Sequence, residues 1–335
     1  MDGSNDILRT VELEIGYPGK QQLPVYSNIN VSAGRGEIIA ALGQNGIGKS
    51  TLLRTLVQLQ KPMGGSILFK NTDLYQYKRK ELARSIGFVS TEIIQVSNLA
   101  LFDLVGLGRF PHTNWLGRLT EDDTHFVREA IHQVGLEDMM DKNINEVSDG
   151  ERQRAMIART LAQDTEIIVL DEPTAFLDLP NRYEIVHLLT ELSRIKGKTI
   201  IFSTHDLNIA IQEADKVWLM LPDGIITGSP EDLVLNHSFS SIFKETRLQF
   251  DEQKGEIRMN RETGKMIYLD GEGITGMWTR RALERLGYSL AAKNRCDTWI
   301  RIEPGKEKPT WIVEKRGELV ECNSIYNLSL RLKLD

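Results

Sequence analysis

Gly43-Gln44-Asn45-Gly46-Ile47-Gly48-Lys49-Ser50-Thr51 is the stretch from which the rest of this chain is read. It fits the phosphate-binding loop pattern Gly-x-x-x-x-Gly-Lys-Ser/Thr without a mismatch, and it sits where that loop must sit. The apolar run Ile38 to Leu42 before it reads as a buried strand, and the residues from Lys49 to Val57 read as the helix that follows. Gly43, Gly46 and Gly48 let the backbone wrap closely around a polyphosphate, so that loop N–H groups and the helix N-terminus meet its negative charge. Lys49 then reaches the β- and γ-phosphates, and Ser50 places a hydroxyl where Mg²⁺ requires an oxygen ligand. A plain strand-to-helix turn would need neither residue.

Composition narrows the field around that loop. The 335 residues exceed the roughly 100–200 of a usual domain, which predicts two. Hydrophobic residues make up 41%, and no apolar run approaches the about eighteen needed to span a bilayer, so a water-soluble chain is expected. The start, Met1-Asp2-Gly3-Ser4-Asn5-Asp6, is acidic and polar where a secretory signal is basic and then apolar, which predicts a protein that stays inside the cell. A net charge of −6 leaves no basic footprint for nucleic acid, and nucleic-acid binding is not expected. Cys296 and Cys322 have no Cys-x-x-Cys or histidine cluster near them, so they are read as inert core thiols rather than zinc ligands or a disulfide framework.

Along the chain, Val11 to Ile15 alternates like a strand, and Tyr17 follows it just ahead of the loop, where it either stacks on a base or simply packs. Ser66 to Phe69 and Ile86 to Val89 are further short strands. From residue 92 the patterning turns helical. Thr120-Glu121-Asp122-Asp123 has capping-box spacing, with Phe126, Ala130, Ile131 and Val134 as the predicted buried face behind it. Ser148-Asp149-Gly150-Glu151 opens another helix in the same way. The buried run Ile167 to Leu170 ends in Asp171-Glu172-Pro173, two carboxylates at the carboxyl end of a parallel strand, where open α/β sheets bind ligands. Asp171 suits Mg²⁺ and Glu172 suits proton abstraction from water. Thr199 to Thr204 is a further buried strand, ended by His205, within reach of a γ-phosphate if it joins the same sheet. Val217 to Leu221 turns through Pro222-Asp223-Gly224 into Ile225 to Thr227, a hairpin at a sheet edge.

Taken together, residues 7 to 240 resemble an ATP-binding-cassette ATPase. The resemblance implies an α/β P-loop NTPase core over residues 1–243, with a helical subdomain at about 92–160. It makes Val147 to Glu151 the signature motif, Ile167 to Glu172 the Walker B strand with its catalytic glutamate, Phe176-Leu177-Asp178 the D-loop and His205 the H-loop histidine. Tyr17 falls at the family's adenine-stacking aromatic. The resemblance further implies nucleotide contacts from Asn45, Gly46, Gly48, Lys49, Ser50 and Thr51, with Ser50 and Asp171 on Mg²⁺. In such ATPases two copies assemble head to tail, each ATP lying between one P-loop and the other copy's signature. This chain has one of each, which implies a homodimer in which Ser148, Gly150 and Asp178 complete the partner's site. The segments Gly108-Arg109-Phe110-Pro111 and Gly117-Arg118-Leu119 resemble those of importers for iron–siderophore complexes, haem and cobalamin. The expected function is therefore ATP hydrolysis that energises uptake through separate integral-membrane permease subunits, and indirectly a substrate-binding protein, from the cytoplasmic, inner face of the membrane.

Three positions depart from the family pattern. Thr91 stands where glutamine normally helps hold Mg²⁺ and faces the membrane partner; its hydroxyl is shorter, with Glu92 and Gln95 as nearby substitutes. Asp149 replaces a signature glycine and adds charge where the partner's γ-phosphate lies, and Glu151 replaces a glutamine. These changes keep open a second reading, a soluble cassette whose nucleotide site switches shape without driving transport. A cassette acting on ribosomes or DNA would be expected to carry two cassettes or a long coiled-coil insertion, and neither is seen.

Residues 244–335 lie outside the resemblance and read as a small accessory α+β domain, regulatory or dimer-supporting. Phe250 to Ile257 suggests a hairpin, Trp278 to Leu286 an amphipathic helix, and Thr298 to Ile302 and Thr310 to Val313 strands. Three of the five tryptophans, Trp278, Trp299 and Trp311, fall here and are expected to be buried.

Overall fold

The computed structural model describes residues 6–17, 24–91, 98–114, 117–244, 246–259, 264–305, 308–315 and 317–333. Two compact units divide it, one of Met1–Lys244 with Phe250–Glu256, the other of Glu245–Gln249 with Ile257–Asp335.

The first unit runs β1 (Asp6–Gly16), β2 (Pro24–Ile29), β3 (Ser32–Gly34), β4 (Ile38–Leu42), α1 (Lys49–Leu56), β5 (Gly64–Phe69), β6 (Thr72–Asp73), α2 (Arg79–Ala83), β7 (Ile86–Val89), α3 (Leu101–Gly106), α4 (Glu121–Gln133) and α5 (Asp149–Ala162). It continues through β8 (Ile167–Leu170), α6 (Leu179–Arg194), β9 (Thr199–Thr204), α7 (Leu207–Glu213), β10 (Lys216–Leu221), β11 (Gly224–Gly228) and α8 (Pro230–Leu235). One sheet has the order β11-β10-β4-β9-β8-β7, parallel from β10 to β7, with β11 antiparallel at its edge. Every residue of β4, β8 and β9 is buried, because helices and a second sheet cover both faces; this is why these strands read as unbroken apolar runs rather than alternating ones. The second sheet, β2-β1-β5-β6 with β3 also on β1, is antiparallel. Since β9 lies between β4 and β8, the carboxyl ends of these three strands open side by side, and the functional loops leave from them.

Helices α3, α4 and α5 form one packed group. Both expected capping boxes are present: Thr120 Oγ1 accepts from the Asp123 amide while Asp123 accepts from Thr120 N–H, and Ser148 and Glu151 do the same. The buried face of α4 differs from the expected one. Val127 is inside and Phe126 is exposed, because Asp123 turns inward and sets the face at 123, 127, 130, 131 and 134. What draws Asp123 inside is Arg109, whose Nε lies 2.8 Å from its Oδ1, with both side chains buried. The Arg109 guanidinium also donates from Nη1 to the Ala162 carbonyl at 2.9 Å and sits 4.3 Å from the Phe126 ring centre. Burial would raise the Asp123 carboxyl, but the Thr120 and Arg109 hydrogen bonds outweigh it and hold its pKa below the ordinary value. Gly108 has its own steric reason, since a Cβ there would come within 1.9 Å of the Arg159 carbonyl oxygen.

The chain continues through β12 (Leu248–Asp251) and β13 (Glu256–Met259), whose residues are divided between the two units, and the second unit then runs β14 (Lys265–Asp270), α9 (Gly273–Arg285), β15 (Tyr288–Leu290), β16 (Thr298–Glu303), β17 (Thr310–Lys315), β18 (Glu318–Cys322) and α10 (Ile325–Lys333). Strands β12 and β13 pair with each other, and the main sheet has the order β15-β14-β16-β17-β18. Its core is built from Ile267, Leu283, Ile300, Val313, Leu328 and Leu332 with their neighbours. Only one of the three tryptophans is buried as expected: Trp311 is inside, its indole N–H donating to Thr279 Oγ1 at 2.7 Å. Trp299 is half-buried, and Trp278 lies on the outer face of α9, 50% exposed beside Arg281. Cys322 is a core thiol, but Cys296 is only half-buried, on the loop between β15 and β16. Among the described residues no helix is long and apolar enough to cross a membrane.

Candidate functional site

The loop from Gly43 to Gly48 leaves β4 and hands the chain to α1. Gly46 and Gly48 have φ of +80° and +111°, a region closed to most side chains. Gly43 is fixed by space instead, since a Cβ would lie 2.9 Å from the Met220 carbonyl oxygen. No side chain caps α1, so its first amides face the loop. Asn45 and Gly46 are exposed at the tip of the loop, while Thr51 is buried one turn into α1.

Lys49 is buried, and its ammonium lies 3.0 Å from the Gly43 carbonyl oxygen, 3.2 Å from that of Gln44 and 3.3 Å from Glu172 Oε1. Ser50 Oγ donates to Asp171 Oδ1 at 2.9 Å, across from β4 to β8. Asp171 is 2% exposed, and the cost of burying its charge is offset by two hydroxyls on the same oxygen, the second being Ser203 Oγ at 2.8 Å. Glu172 adopts φ +43°, which is strained for a residue with a side chain, and its amide donates to Ser203 Oγ at 2.8 Å. His205 Nδ1 stands 3.5 Å from Glu172 Oε2. Lys49, Ser50, Asp171, Glu172 and His205 thus form one connected cluster at the carboxyl ends of β4, β8 and β9.

Tyr17 is 65% exposed, and its hydroxyl is 3.1 Å from Thr51 Oγ1, so its ring stands free beside the start of α1. Ser148, Gly150 and Asp178 form a second group. Ser148 caps α5, Asp178 caps α6, and Asn181 links them: its Nδ2 lies 2.6 Å from Asp178 Oδ1, and its Oδ1 would be 2.6 Å from a Cβ at Gly150. Thr91 and Asp149 border a cavity of about 80 Å³ together with Gln153 and Glu172, which brings two of the departing positions near the Glu172 side chain. Asp149 itself pairs with Arg152 at 2.7 Å. Glu92 and Gln95 lie outside the described residues.

Ser203 was not picked out by sequence reasoning, although it touches both acids. The signal was present: a hydroxyl near the end of an otherwise apolar buried strand must have a partner, and the neighbouring strand end offered Asp171. Mg²⁺ fits the donor set. Ser50 and Asp171 supply hard oxygen ligands side by side, and among the described residues no group of three His, Cys, Asp or Glu side chains gathers to cage a metal. The cation held here would therefore depend on phosphate oxygens and water for the rest of its shell.

The ABC transporter family profile matches residues 26–175, and the iron ABC transporter C-terminal domain matches residues 263–333. The chain is 36% identical over 287 residues to the uncharacterized ABC transporter ATP-binding protein MJ0873 of Methanocaldococcus jannaschii, spanning 85% of this chain and 98% of that protein. It is 36% identical over 237 residues to the ferric enterobactin transport ATP-binding protein FepC of Escherichia coli, spanning 70% and 86%. Among solved structures, cbiO1 from Clostridium perfringens, part of the ABC transporter complex cbiONQ, superposes with a TM-score of 0.62 at 33% identity, over 70% of this chain and 93% of that one.

Proposed function

The chain belongs to the ABC transporter family of ATP-binding subunits, and from that premise we propose that it powers uptake of an iron–siderophore complex through a separate membrane permease. The solute class rests on the match of residues 263–333 to the iron ABC transporter C-terminal domain, together with a relative named for ferric enterobactin. Haem and cobalamin are the related cargoes. We assign residues 1–243 to the cassette, with its helical subdomain at about 92–160, and 244–335 to the accessory unit. Two copies pair head to tail on the inner face of the membrane, engaging the permease and, through it, a substrate-binding protein.

In this reading the loop amides from Asn45 to Thr51 and the Lys49 ammonium hold the β- and γ-phosphates, and Tyr17 stacks on adenine. Ser50 and Asp171 would hold Mg²⁺, which would supply charge neutralisation to the bound phosphates. The distances support an order of events. Lys49 is shared between two carbonyls and Glu172, and an arriving γ-phosphate competes for that ammonium with more charge than a single carboxylate. Released from Lys49, Glu172 is free to take a proton from the attacking water, with its backbone fixed by Ser203. His205 turns from Glu172 to the γ-phosphate. Ser148, Gly150 and Asp178 close the site from the other copy.

A second reading, a nucleotide switch uncoupled from transport, is favoured by one observation: Thr91 and Asp149 border the same small cavity as Glu172. Uptake of radiolabelled ferric siderophore separates the two. Cells lacking this chain are expected to lose uptake, and the native chain but not Glu172→Gln is expected to restore it. Undiminished uptake without the chain would rule out the transport reading.

A further inference from the structure

Helix α5 opens with two acids, Asp149 and Glu151, on either side of Gly150, at a turn that the proposed function sets against the triphosphate held by a second copy. Negative charge at that turn opposes the ligand, so each carboxylate needs an answer before two copies can close. Glu151 finds one within its own turn. Its Oε2 accepts from the Ser148 amide at 2.7 Å and from Ser148 Oγ at 2.8 Å, which folds the carboxylate back onto the helix cap. Asp149 is not folded back. Its side chain is 68% exposed, and its partner is Arg152, whose Nη1 donates to Asp149 Oδ1 at 2.7 Å.

Arg152 is fixed from behind for this task. Its Nε donates to the Ile144 carbonyl at 3.4 Å and its Nη2 to the Val147 carbonyl at 3.3 Å, and the side chain is only 21% exposed. The planar fork is therefore directed at two backbone oxygens on one side and at Asp149 on the other. The next cation along α5 is committed elsewhere, since Arg154 Nη1 pairs with Glu184 Oε2 at 2.7 Å. Among the described residues Arg152 is the cation that pairs with Asp149.

In the open chain such a pair does little, because water screens an exposed ion pair and ordering two long side chains opposes it. Closing two copies over ATP changes the balance. Water leaves the site, the local dielectric falls, and both the attraction of Asp149 for Arg152 and its repulsion from phosphate grow several-fold. A guanidinium already seated on two carbonyls meets that change without reorganising. An unanswered carboxylate at the same place would resist closure with its full charge.

We propose that Arg152 is a positioning residue for the nucleotide-bound dimer: it holds Asp149 to its own helix and cancels its charge, so that a signature turn bearing an acid still accepts the γ-phosphate of the other copy. This inference rests on the head-to-tail reading of the proposed function. A plainer account of Asp149, an acid that favours the first turn of α5 through the helix dipole, gives Arg152 no part in closure. The two accounts part on whether removing the Asp149 charge makes Arg152 dispensable.

The test is sedimentation with MgATP of the full chain carrying Glu172→Gln as parent. Adding Arg152→Gln, which keeps amide donors near the two carbonyls and removes the charge, is expected to weaken the dimer by about tenfold or more. Adding Asp149→Asn to Arg152→Gln removes the carboxylate left unanswered, and is expected to restore the dimer to within about threefold of the parent, a recovery that a merely structural role of Arg152 would not allow. A dimer unmoved by Arg152→Gln, or one that Arg152→Gln weakens and Asp149→Asn fails to restore, would overturn the proposal and leave the head-to-tail reading in place. A parent chain that binds ATP and stays monomeric would overturn both.

Discussion

At Gly43–Ser50 a buried strand runs through glycines into α1, and at Gly271–Gly276 strand β14 runs through glycines into α9, but the two turns stand in different surroundings. The first is the meeting point of three adjacent strand ends, which bring Glu172 within ion-pairing reach of Lys49 and His205 and Asp171 within hydrogen-bonding reach of Ser50. The second is flanked by a three-residue strand, β15, that pairs only with the beginning of β14, so fewer side chains arrive at its carboxyl end. A glycine turn before a helix is not a site by itself; whether chemistry follows depends on what the neighbouring strands deliver to it.

The strongest way to break that contrast is at Glu172. If the delivered carboxylate makes the first turn catalytic, Glu172→Gln should slow steady-state ATP hydrolysis by about 10²–10⁴-fold while ATP binding persists, the usual worth of a positioned base. Hydrolysis at the native rate would remove Glu172 from the mechanism and with it the distinction between the turns. A second prediction sharpens the contrast on the side of stability. The cassette's helical group is tied together by a buried ion pair, which the second unit lacks among its described residues. Arg109→Met should therefore destabilise the cassette by about 3–5 kcal/mol, since it leaves the Asp123 charge inside with only Thr120 to answer it. Unfolding in denaturant, read separately for the two units, would show the loss in the cassette alone; an unshifted midpoint would make the pair dispensable.

The contrast also explains what was legible in advance. Ile38 to Leu42 and Ile167 to Leu170 are strands with the limits read from the sequence, because a strand buried on both faces has no reason to interrupt its apolar run, and Ile86 to Val89, at the sheet edge with Phe88 half-buried, also keeps its expected limits. The grouping of Lys49, Ser50, Asp171, Glu172 and His205 followed from motif spacing together with the rule that ligands gather at strand carboxyl ends. The inward face of α4 did not, because Asp123 breaks the apolar pattern and its partner Arg109 lies outside the helix. Ser203 was hidden in the same way, a polar residue whose meaning depends on which strand lies next to β9. Trp278 was misjudged since an indole counts as core in composition, yet on α9 it falls on the side away from Leu283. Cys296 differs from the core thiol that composition predicts for a similar reason, its place in a loop not being written in its neighbours.

In the proposed function the site has two halves, Lys49 with Glu172 and Ser148 with Gly150, which belong to different copies when ATP is bound. Sedimentation of the Glu172→Gln chain with and without MgATP tests this directly, because that variant is expected to hold ATP while hydrolysing it slowly. The account predicts a nucleotide-dependent dimer that Ser148→Arg abolishes. A Glu172→Gln chain that binds ATP yet stays monomeric, or a dimer indifferent to Ser148→Arg, would contradict it.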